Sequence, residues 1–263
     1  MVISSKENRV VKLWRQLSAD GRARRKQGLF AVEGARLCMD AALSDVRIQT
    51  VLYTARAAEQ YAEHLRAVLA VAQSDFEITA PVAQFMADTA TPQGVFCICE
   101  MPASAGWTLR CDGRYLALED LQDPSNLGTV IRTAEALGLD GLLLSAGCCD
   151  VYSPKVLRGS MGGVFRLPLL QVSDMTAAVA DWRKCGLRVY ACVPDADAVS
   201  VCDAAMGDGC IPVIGNEGNG LKNETIAACD ARVTIPMGGR AESLNAAMAA
   251  GIVMWELKRR CDI

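Results

Sequence analysis

The stretch Asn126-Leu127-Gly128-Thr129-Val130-Ile131-Arg132 begins a helical pattern just after the apolar, strand-like run Tyr115–Leu121. Asn126 can cap the amides at a helix start, and Gly128 permits the close approach of another backbone. Arg132 places a permanent cation farther along the same helix. An asparagine-capped surface helix with one arginine would also explain this stretch, so its meaning depends on the rest of the chain.

Two further segments follow strand-like runs in the same half of the chain. Gly215-Asn216-Glu217-Gly218-Asn219-Gly220-Leu221 follows one run, and Glu242-Ser243-Leu244-Asn245 follows Ile235-Pro236-Met237 and precedes an apolar helix. Glycine tolerates positive φ and lets a ligand touch main chain. The glycine spacing fits neither the G-x-G-x-x-G dinucleotide turn nor a Walker loop. A plain loop and a helix cap are the alternative explanations.

The alternation of strands and helices predicts α/β architecture with a parallel sheet covered on both faces. Ligands of such sheets bind beyond the carboxyl ends of the strands, where all three segments begin. We predict a small α/β domain over residues 1–100, a linker over 101–112 and a larger domain over 113–263. The three segments together therefore predict a pocket built from strand-end loops beside a positioned arginine.

Composition narrows the classes of function. The longest apolar-rich stretch, Asn245–Leu257, is too short to cross a bilayer, which predicts no membrane association. The twelve cysteines lack zinc-ligand spacing, which predicts no metal site and a reducing, cytoplasmic location. The single histidine, His64, excludes Ser-His-Asp catalysis and multi-histidine metal sites.

Charge is unevenly distributed along the chain. The stretch Met1–Phe30 contains eight Lys or Arg residues and only two acidic residues, although the whole chain has a net charge of −3. A second basic stretch, Ser153–Gly163, contains two cations near the predicted sheet edge. A basic arm on an acidic protein is typical of polyanion binding. Solvated surface charge is the alternative explanation for both stretches.

The three segments, in this order and spacing, resemble the SpoU/TrmH family of RNA ribose 2′-O-methyltransferases within the SPOUT superfamily. The resemblance covers 113–263, and Phe30-Ala31-Val32-Glu33-Gly34 lies in a module similar to the ribosomal-protein-like α/β/α substrate-binding domain of many members. It implies a deep trefoil knot, a homodimer formed through the C-terminal domain, and S-adenosylmethionine bound in the knot. It also implies an RNA substrate, and the basic module favours ribosomal RNA over transfer RNA.

The resemblance implies roles for particular residues. The implied catalytic set is Asn126, Arg132, Glu217, Ser243 and Asn245. The implied cofactor-binding set is Gly215, Asn216, Glu217, Gly218, Gly220, Ile235, Pro236, Met237, Ser243 and Leu244. The basic stretches add a candidate RNA-binding set of Arg22, Arg24, Arg25, Lys26, Lys155 and Arg158. Because a guanidinium is not deprotonated in proteins, Arg132 is expected to stabilise charge, while Glu217 holds the arginine or the loop.

Three other functions are considered. A transfer RNA 2′-O-methyltransferase would share every motif. A catalytically silent RNA-binding or ribosome-assembly factor would be favoured by loss of Arg132 or of the Ser243 and Asn245 pair, and all three are present. A dinucleotide-dependent oxidoreductase would need G-x-G-x-x-G with an acidic residue about twenty positions on, which the sequence lacks.

Overall fold

The computed structural model describes residues 2–102 and 108–259. Its strands are β1 (Val2–Ile3), β2 (Leu29–Glu33), β3 (Ile48–Tyr53), β4 (Ser74–Ile78), β5 (Val95–Glu100), β6 (Tyr115–Leu118), β7 (Gly141–Ser145), β8 (Leu169–Val172), β9 (Arg188–Cys192), β10 (Val199–Ser200), β11 (Cys210–Ile214) and β12 (Ala231–Thr234). Its helices are α1 (Arg9–Ala19), α2 (Gly21–Gln27), α3 (Ala35–Ala42), α4 (Ala55–Gln60), α5 (Ala62–Val71), α6 (Ala80–Met86), α7 (Pro124–Leu137), α8 (Pro154–Ser160), α9 (Gly163–Arg166), α10 (Met175–Lys184), α11 (Asn223–Ala228) and α12 (Ala246–Arg259).

The chain divides into two compact units. The first consists of Met1–Ala105 and Asp150–Phe165, and the second of Gly106–Cys149 and Arg166–Ile263. The segment Asp150–Phe165 thus belongs to the first unit, although the sequence prediction placed it in the C-terminal domain. Residues 103–107 of the predicted linker lie outside the described residues.

The first unit is built on a five-stranded mixed sheet in the order β1-β4-β3-β5-β2. β1, β4 and β3 run parallel, and β5 is antiparallel to both β3 and β2. The amphipathic helix α1 begins where the Asn8 side chain accepts a hydrogen bond from the Val10 amide. Its Trp14 packs edge-on against Phe96 of the sheet, with ring centroids 5.1 Å apart. This contact anchors the basic N-terminal helix to the core.

Arg24 of α2 is a structural residue. Its side chain is buried, and its Nε and Nη2 atoms each lie 2.8 Å from a carboxylate oxygen of Asp150. Its Nη1 donates to the carbonyls of Leu17 and Ser18 at 2.6 and 3.1 Å. Because this guanidinium is buried and bonded within the first unit, the structure does not support the predicted contact of Arg24 with RNA.

Replacing Arg24 by alanine is expected to lower the free energy of unfolding by about 3 kcal/mol, because a partly buried carboxylate and two carbonyls would lose their buried partner. Urea unfolding would measure the change. Arg25→Ala is the matched control, since Arg25 is an exposed cation on the same helix. Its effect is expected to stay within about 0.5 kcal/mol. Equal effects of the two substitutions would contradict the structural role of Arg24.

The second unit contains a seven-stranded sheet in the order β10-β12-β9-β11-β6-β7-β8. All neighbouring strands are parallel, as predicted. Side chains alternate between the faces of the sheet: Tyr115 and Ala117 of β6 belong to one buried cluster with Trp182 of α10. Leu116, which lies between them in β6, is also buried. On that side α7 and α12 pack together, α7 against β7 and α12 against β11. Both faces of the sheet are therefore covered.

Several element boundaries differ from the sequence prediction. Helix α7 begins at Pro124 and is capped by Asp123, whose carboxylate accepts a hydrogen bond from the Ser125 amide at 2.7 Å. Asn126 is therefore not the helix cap. The short helices α9 and α11 and the short strand β10 were not predicted from the sequence. Weak local patterns in these short elements explain the differences.

Within residues 2–102 and 108–259, no helix is both long and apolar enough to cross a membrane. The same residues bring together no group of three His, Cys, Asp or Glu side chains that could hold a metal ion.

Candidate active site at the strand ends of the second unit

The three conspicuous segments leave the same edge of the parallel sheet. β6 and β11 are neighbours in the sheet, and the single strand β9 separates β11 from β12. Because parallel strands present their carboxyl ends at one edge, the loops after β6, β11 and β12 begin close together. The sheet topology therefore explains why segments more than a hundred residues apart can meet.

Asn126 joins the three segments by hydrogen bonds. Its Nδ2 donates to the Glu217 carboxylate at 3.0 Å, and its Oδ1 accepts from Asn245 Nδ2 at 3.0 Å. Asn245 in turn caps α12, accepting from the amides of Ala247 and Met248. The side chain of Asn126 is buried, so neither contact is easily replaced by water. This chain of three side chains fixes the relative positions of the loops.

Glu217 anchors its own loop to the start of α7. Besides Asn126, its carboxylate accepts hydrogen bonds from the amides of Gln122 at 3.2 Å and Asp123 at 3.0 Å. Burial, the largest single influence, raises the pKa of Glu217, but the hydrogen bonds together outweigh it and leave the pKa below its ordinary value. Among the described residues, Glu217 has no contact with Arg132, so of its two expected roles it holds the loop.

The loop after β11 has a fixed shape. Asn216 and Gly220 exchange two backbone hydrogen bonds of 3.0 Å, and Asn216 Oδ1 accepts from the amides of Gly218 and Asn219. A Cβ at Gly215 would lie 2.3 Å from the carbonyl carbon of Gly220. Only glycine fits at Gly215, and the loop amides used internally are unavailable to a ligand. The loop can offer a ligand its carbonyl oxygens, its surface and the amides that it does not use internally.

Two acidic residues just after β6, for which no role was predicted, hold this loop in place. Glu119 is buried and accepts from the Lys222 amide at 2.9 Å and from Thr225 Oγ1 at 2.7 Å. Asp120 adopts a φ of +56°, which is uncommon outside glycine. Its carbonyl accepts from Asn216 Nδ2 at 2.8 Å. These contacts tie β6 to both sides of the loop after β11.

The Asp120 carboxylate lies 2.7 Å from Lys222 Nζ and accepts from Ser145 Oγ at 2.6 Å. These two partners, led by Lys222, lower the pKa of Asp120. A lowered pKa means that the stabilising contribution is complete above the unfolded value near 4 and is lost as pH falls through the folded value. Asp120→Asn should therefore destabilise the protein at pH 7 and differ little from the wild type near pH 2. Urea unfolding across this pH range would measure the difference, and a pH-independent difference would contradict the ionic role.

Arg132 and Ser243 face solvent without internal partners. Arg132 lies six residues after Asn126, which places its Cα about 9 Å farther along α7. Both residues are exposed, and neither makes a hydrogen bond or ion pair with any residue that the structure describes. An unneutralised guanidinium on α7 and a free hydroxyl after β12 are thus available to a ligand.

Residues 235–244 form an open stretch of main chain after β12. Within the described part of the protein, none of their backbone amides or carbonyls makes a hydrogen bond. Met237 and Leu244 are 38% and 39% exposed, although both are apolar. Backbone groups without internal partners beside exposed apolar side chains offer a surface for a ligand with polar edges and an apolar body.

Cys148 and Cys149 lie near this edge of the sheet. Burial, together with the charges of neighbouring groups that include Glu217, raises the pKa of Cys149 to about 12. Burial also raises the pKa of Cys148. Both remain neutral thiols at physiological pH, which excludes an activated cysteine nucleophile at these two positions.

The predicted RNA-binding residues lie in the first unit. Arg22, Arg25 and Lys26 are exposed on α2, and Lys155 is exposed on α8. Arg158 is half-buried, and its Nη1 lies 2.7 Å from an Asp88 carboxylate oxygen. The structure thus leaves four of the six predicted cations exposed, pairs Arg158 with a carboxylate, and buries Arg24.

Comparison with known families matches the two parts of the chain to two models. Residues 113–255 match the SpoU rRNA Methylase family, and residues 8–97 match the MRM3-like substrate binding domain. The first match covers all three segments described above. The second covers α1, α2 and the sheet strands β2 to β5 almost completely.

Relatives of similar length share both parts. A 23S rRNA uridine 2′-O-methyltransferase of Streptomyces viridochromogenes is 31% identical over 94% of this chain and 88% of its own length. The 23S rRNA guanosine 2′-O-methyltransferase RlmP of Bacillus subtilis is 29% identical over 97% of this chain and 98% of its own. The crystal structure of an AdoMet-bound rRNA methyltransferase from Sinorhizobium meliloti has a TM-score of 0.86, with 30% identity, covering 99% of this chain and 97% of that one. The chain belongs to the SpoU rRNA methylase family.

Proposed function

We propose that this protein transfers a methyl group from S-adenosylmethionine to a ribose 2′-hydroxyl of ribosomal RNA. Its relatives in Streptomyces viridochromogenes and Bacillus subtilis are named for 2′-O-methylation of 23S rRNA, and they match it over nearly its whole length. Ribosomal RNA is accordingly favoured over transfer RNA, and an active enzyme over a silent RNA-binding factor.

The observation that carries the proposal is the hydrogen-bonded chain Asn245–Asn126–Glu217. It unites the three motif segments of the family at one sheet edge, with Arg132 on the helix that supplies Asn126. A transfer reaction between two bound reactants depends chiefly on holding both in position. Side chains locked by mutual hydrogen bonds are suited to that task.

The residues present fit S-adenosylmethionine, whose sulfonium supplies an electrophilic methyl group when bound. The unpaired main chain of 235–244 provides donors and acceptors for its polar edges, and Met237 and Leu244 provide apolar contact. The rigid loop Gly215–Leu221 would form a second wall of the site through its main chain. We assign cofactor binding to these two stretches, which contain every cofactor-binding residue expected from the sequence.

Arg132 and Ser243 are assigned to the RNA side of the site. Arg132 would bind a phosphate next to the target ribose and stabilise negative charge that develops on the 2′-oxygen. Ser243 would hold the ribose through its free hydroxyl. Asn126, Glu217 and Asn245 act through these groups as positioning residues, because their side chains are occupied by one another and by main chain.

Transfer of labelled methyl from S-adenosylmethionine to unmodified ribosomal RNA and, separately, to transfer RNA tests the proposal. Alkali cannot cleave beside a 2′-O-methylated ribose, so the expected product is a labelled, alkali-resistant dinucleotide from ribosomal RNA. Label in transfer RNA alone would show that transfer RNA, and not ribosomal RNA, is the substrate. No label in either RNA, with RNA binding intact, would favour a silent binding factor.

The exposed cations of α2 are proposed to bind the RNA backbone. Replacing Arg22, Arg25 and Lys26 together by glutamine is expected to weaken binding and to reduce the slope of log affinity against log salt by about two to three. Arg188→Gln is the control, because Arg188 is an exposed cation at the amino end of β9. Filter binding at several salt concentrations measures the affinity for RNA and its salt dependence in each variant. An unchanged slope in the triple variant would remove α2 from the RNA-binding surface.

We propose that the protein forms a homodimer through the second unit. Helix α12 carries Met248 and Trp255, 61% and 51% exposed, seven residues apart and hence on one face. Exposed apolar side chains of this size on one helix face are typical of subunit contacts. Light scattering should give twice the mass of the chain, and Trp255→Asp should give the monomer. A monomeric wild type at micromolar concentration would refute the assignment.

The family resemblance also leads us to propose the trefoil knot in the second unit. It is supported by the strand order, in which the late strand β11 lies beside the first strand β6, and by the packing of α12 on α7. Pulling a single molecule from 113 and 259 would test it. A knotted chain should extend to less than the contour length of the intervening residues, whereas full extension would exclude the knot.

A further inference from the structure

Phe85 is an exposed aromatic side chain in the first unit. Its helix, α6, buries Val82 and Met86 in the core, whereas the Phe85 side chain remains 39% exposed. Lys6 Nζ lies 5.1 Å and Arg15 Cζ 5.5 Å from the centroid of its ring. An exposed aromatic ring is thus flanked by two cations, each at a distance suited to a cation–π interaction.

Neither cation is neutralised by a carboxylate within the residues that the structure describes. Arg15 Nη1 donates only to the Met86 carbonyl, at 3.4 Å, which positions the guanidinium without removing its charge. Lys12, one turn before Arg15, is paired with Glu7 and so differs from both. The charge beside Phe85 therefore remains available to an external anion.

We propose that Phe85, Lys6 and Arg15 form a contact for one unpaired nucleotide of the RNA substrate. The base would lie against the Phe85 ring, and its phosphate would contact the two cations. This inference rests on the proposed RNA methyltransferase function, and it adds a specific subsite formed by residues other than the α2 cations.

An unpaired nucleotide fits this cluster better than other anions do. A nucleotide combines a flat aromatic base with a nearby phosphate. Protein sites for single-stranded nucleic acid likewise combine aromatic side chains, on which bases stack, with basic side chains that contact phosphates. In duplex RNA the base faces are stacked and unavailable. An acidic protein segment would satisfy the cations and leave the ring without a planar partner.

Binding of the whole chain to two RNA probes that share one strand tests the proposal. The first is a ribosomal hairpin with an unpaired loop, and the second is the same sequence fully paired with its complement. Phe85→Ala should weaken binding to the hairpin about tenfold and leave binding to the duplex unchanged. Phe85→Tyr, which retains the ring, should bind both probes as the wild type does. Leu69→Ala, which removes another exposed apolar side chain of the same unit, should have no effect.

The cations give a second, independent readout. A variant with Lys6→Gln and Arg15→Gln should reduce the slope of log affinity against log salt by one to two, whereas Phe85→Ala should leave that slope unchanged. Unaltered hairpin affinity in Phe85→Ala, or an equal loss on hairpin and duplex, would overturn the proposal. If the wild type methylates ribosomal RNA while Phe85→Ala binds normally, only this subsite is wrong. If the wild type neither binds nor methylates RNA, the proposed function fails together with it.

Discussion

Replacing Arg132 by alanine is expected to reduce methyl transfer by at least about a thousandfold while binding of S-adenosylmethionine survives. Removing one charge-stabilising group from an active site typically costs a factor of 10² to 10³ in rate, and here a phosphate anchor would be lost as well. Arg132 is exposed and has no partner in the described part of the chain. Its removal should therefore leave the fold and the Asn126 contacts intact.

Two further variants identify what Arg132 does. Arg132→Lys keeps a cation but loses the forked geometry that suits phosphate, so it should retain a small fraction of the activity. Arg188 is an exposed arginine at the opposite end of the sheet. The control variant Arg188→Ala should therefore transfer methyl at the wild-type rate. Calorimetry measures the binding of S-adenosylmethionine, and labelled S-adenosylmethionine measures the rate of methyl transfer. A wild-type rate in Arg132→Ala would exclude any catalytic role for this side chain.

The parallel sheet was predictable because its strands are buried on both faces and read as apolar runs. Tyr115–Leu118, Gly141–Ser145 and Cys210–Ile214 are buried throughout, and such runs separated by helical patterns allow few other arrangements. The loops at their ends were recognised for the same reason, since they follow directly from the strands. The order of the strands in the sheet needed the structure, because it depends on contacts between distant segments.

Asn126 illustrates what the sequence could not give. Its type and its position near a helix start suggested capping, but Asp123-Pro124 is the stronger start signal and takes the cap. Because Asp123 caps the helix, the Asn126 side chain is free to form hydrogen bonds with Glu217 and Asn245, which lie 91 and 119 residues away in the sequence. Local pattern determines a cap, whereas only tertiary packing determines which distant side chain an amide meets.

The charge of a side chain also failed to predict its role where burial was unknown. Arg24 belongs to a run of cations and was grouped with its exposed neighbours, yet it pairs with Asp150, 126 residues later. Conversely, Glu119 ends an apolar strand and drew no prediction, although it is buried and holds the Lys222 amide and Thr225. A single sequence shows that such residues are charged, but their partners lie outside any local window.

Gly215→Ala is expected to weaken cofactor binding by about a hundredfold or more. A Cβ at this position would lie 2.3 Å from the Gly220 carbonyl carbon and 2.4 Å from the Leu221 nitrogen. Main-chain atoms cannot yield as a flexible side chain can, so the loop must move. Overpacking of this kind typically costs about 3 kcal/mol, which is roughly a hundredfold in an equilibrium constant. Displacement of the loop would also draw Glu217 away from Asn126 and from the amides that begin α7.

Calorimetric titration with S-adenosylmethionine measures the loss, and unfolding in urea shows whether the domain itself is retained. Gly251→Ala is the matched control: no atom lies within 4 Å of the Cβ it would gain, and alanine suits the interior of α12. It should bind the cofactor as the wild type does. Because Gly215 itself offers no side chain to a ligand, a large effect at this position would mean that the shape of the loop is what binding requires. Unchanged affinity in Gly215→Ala would instead show that the cofactor does not depend on the loop after β11, and the assignment of that wall would be abandoned.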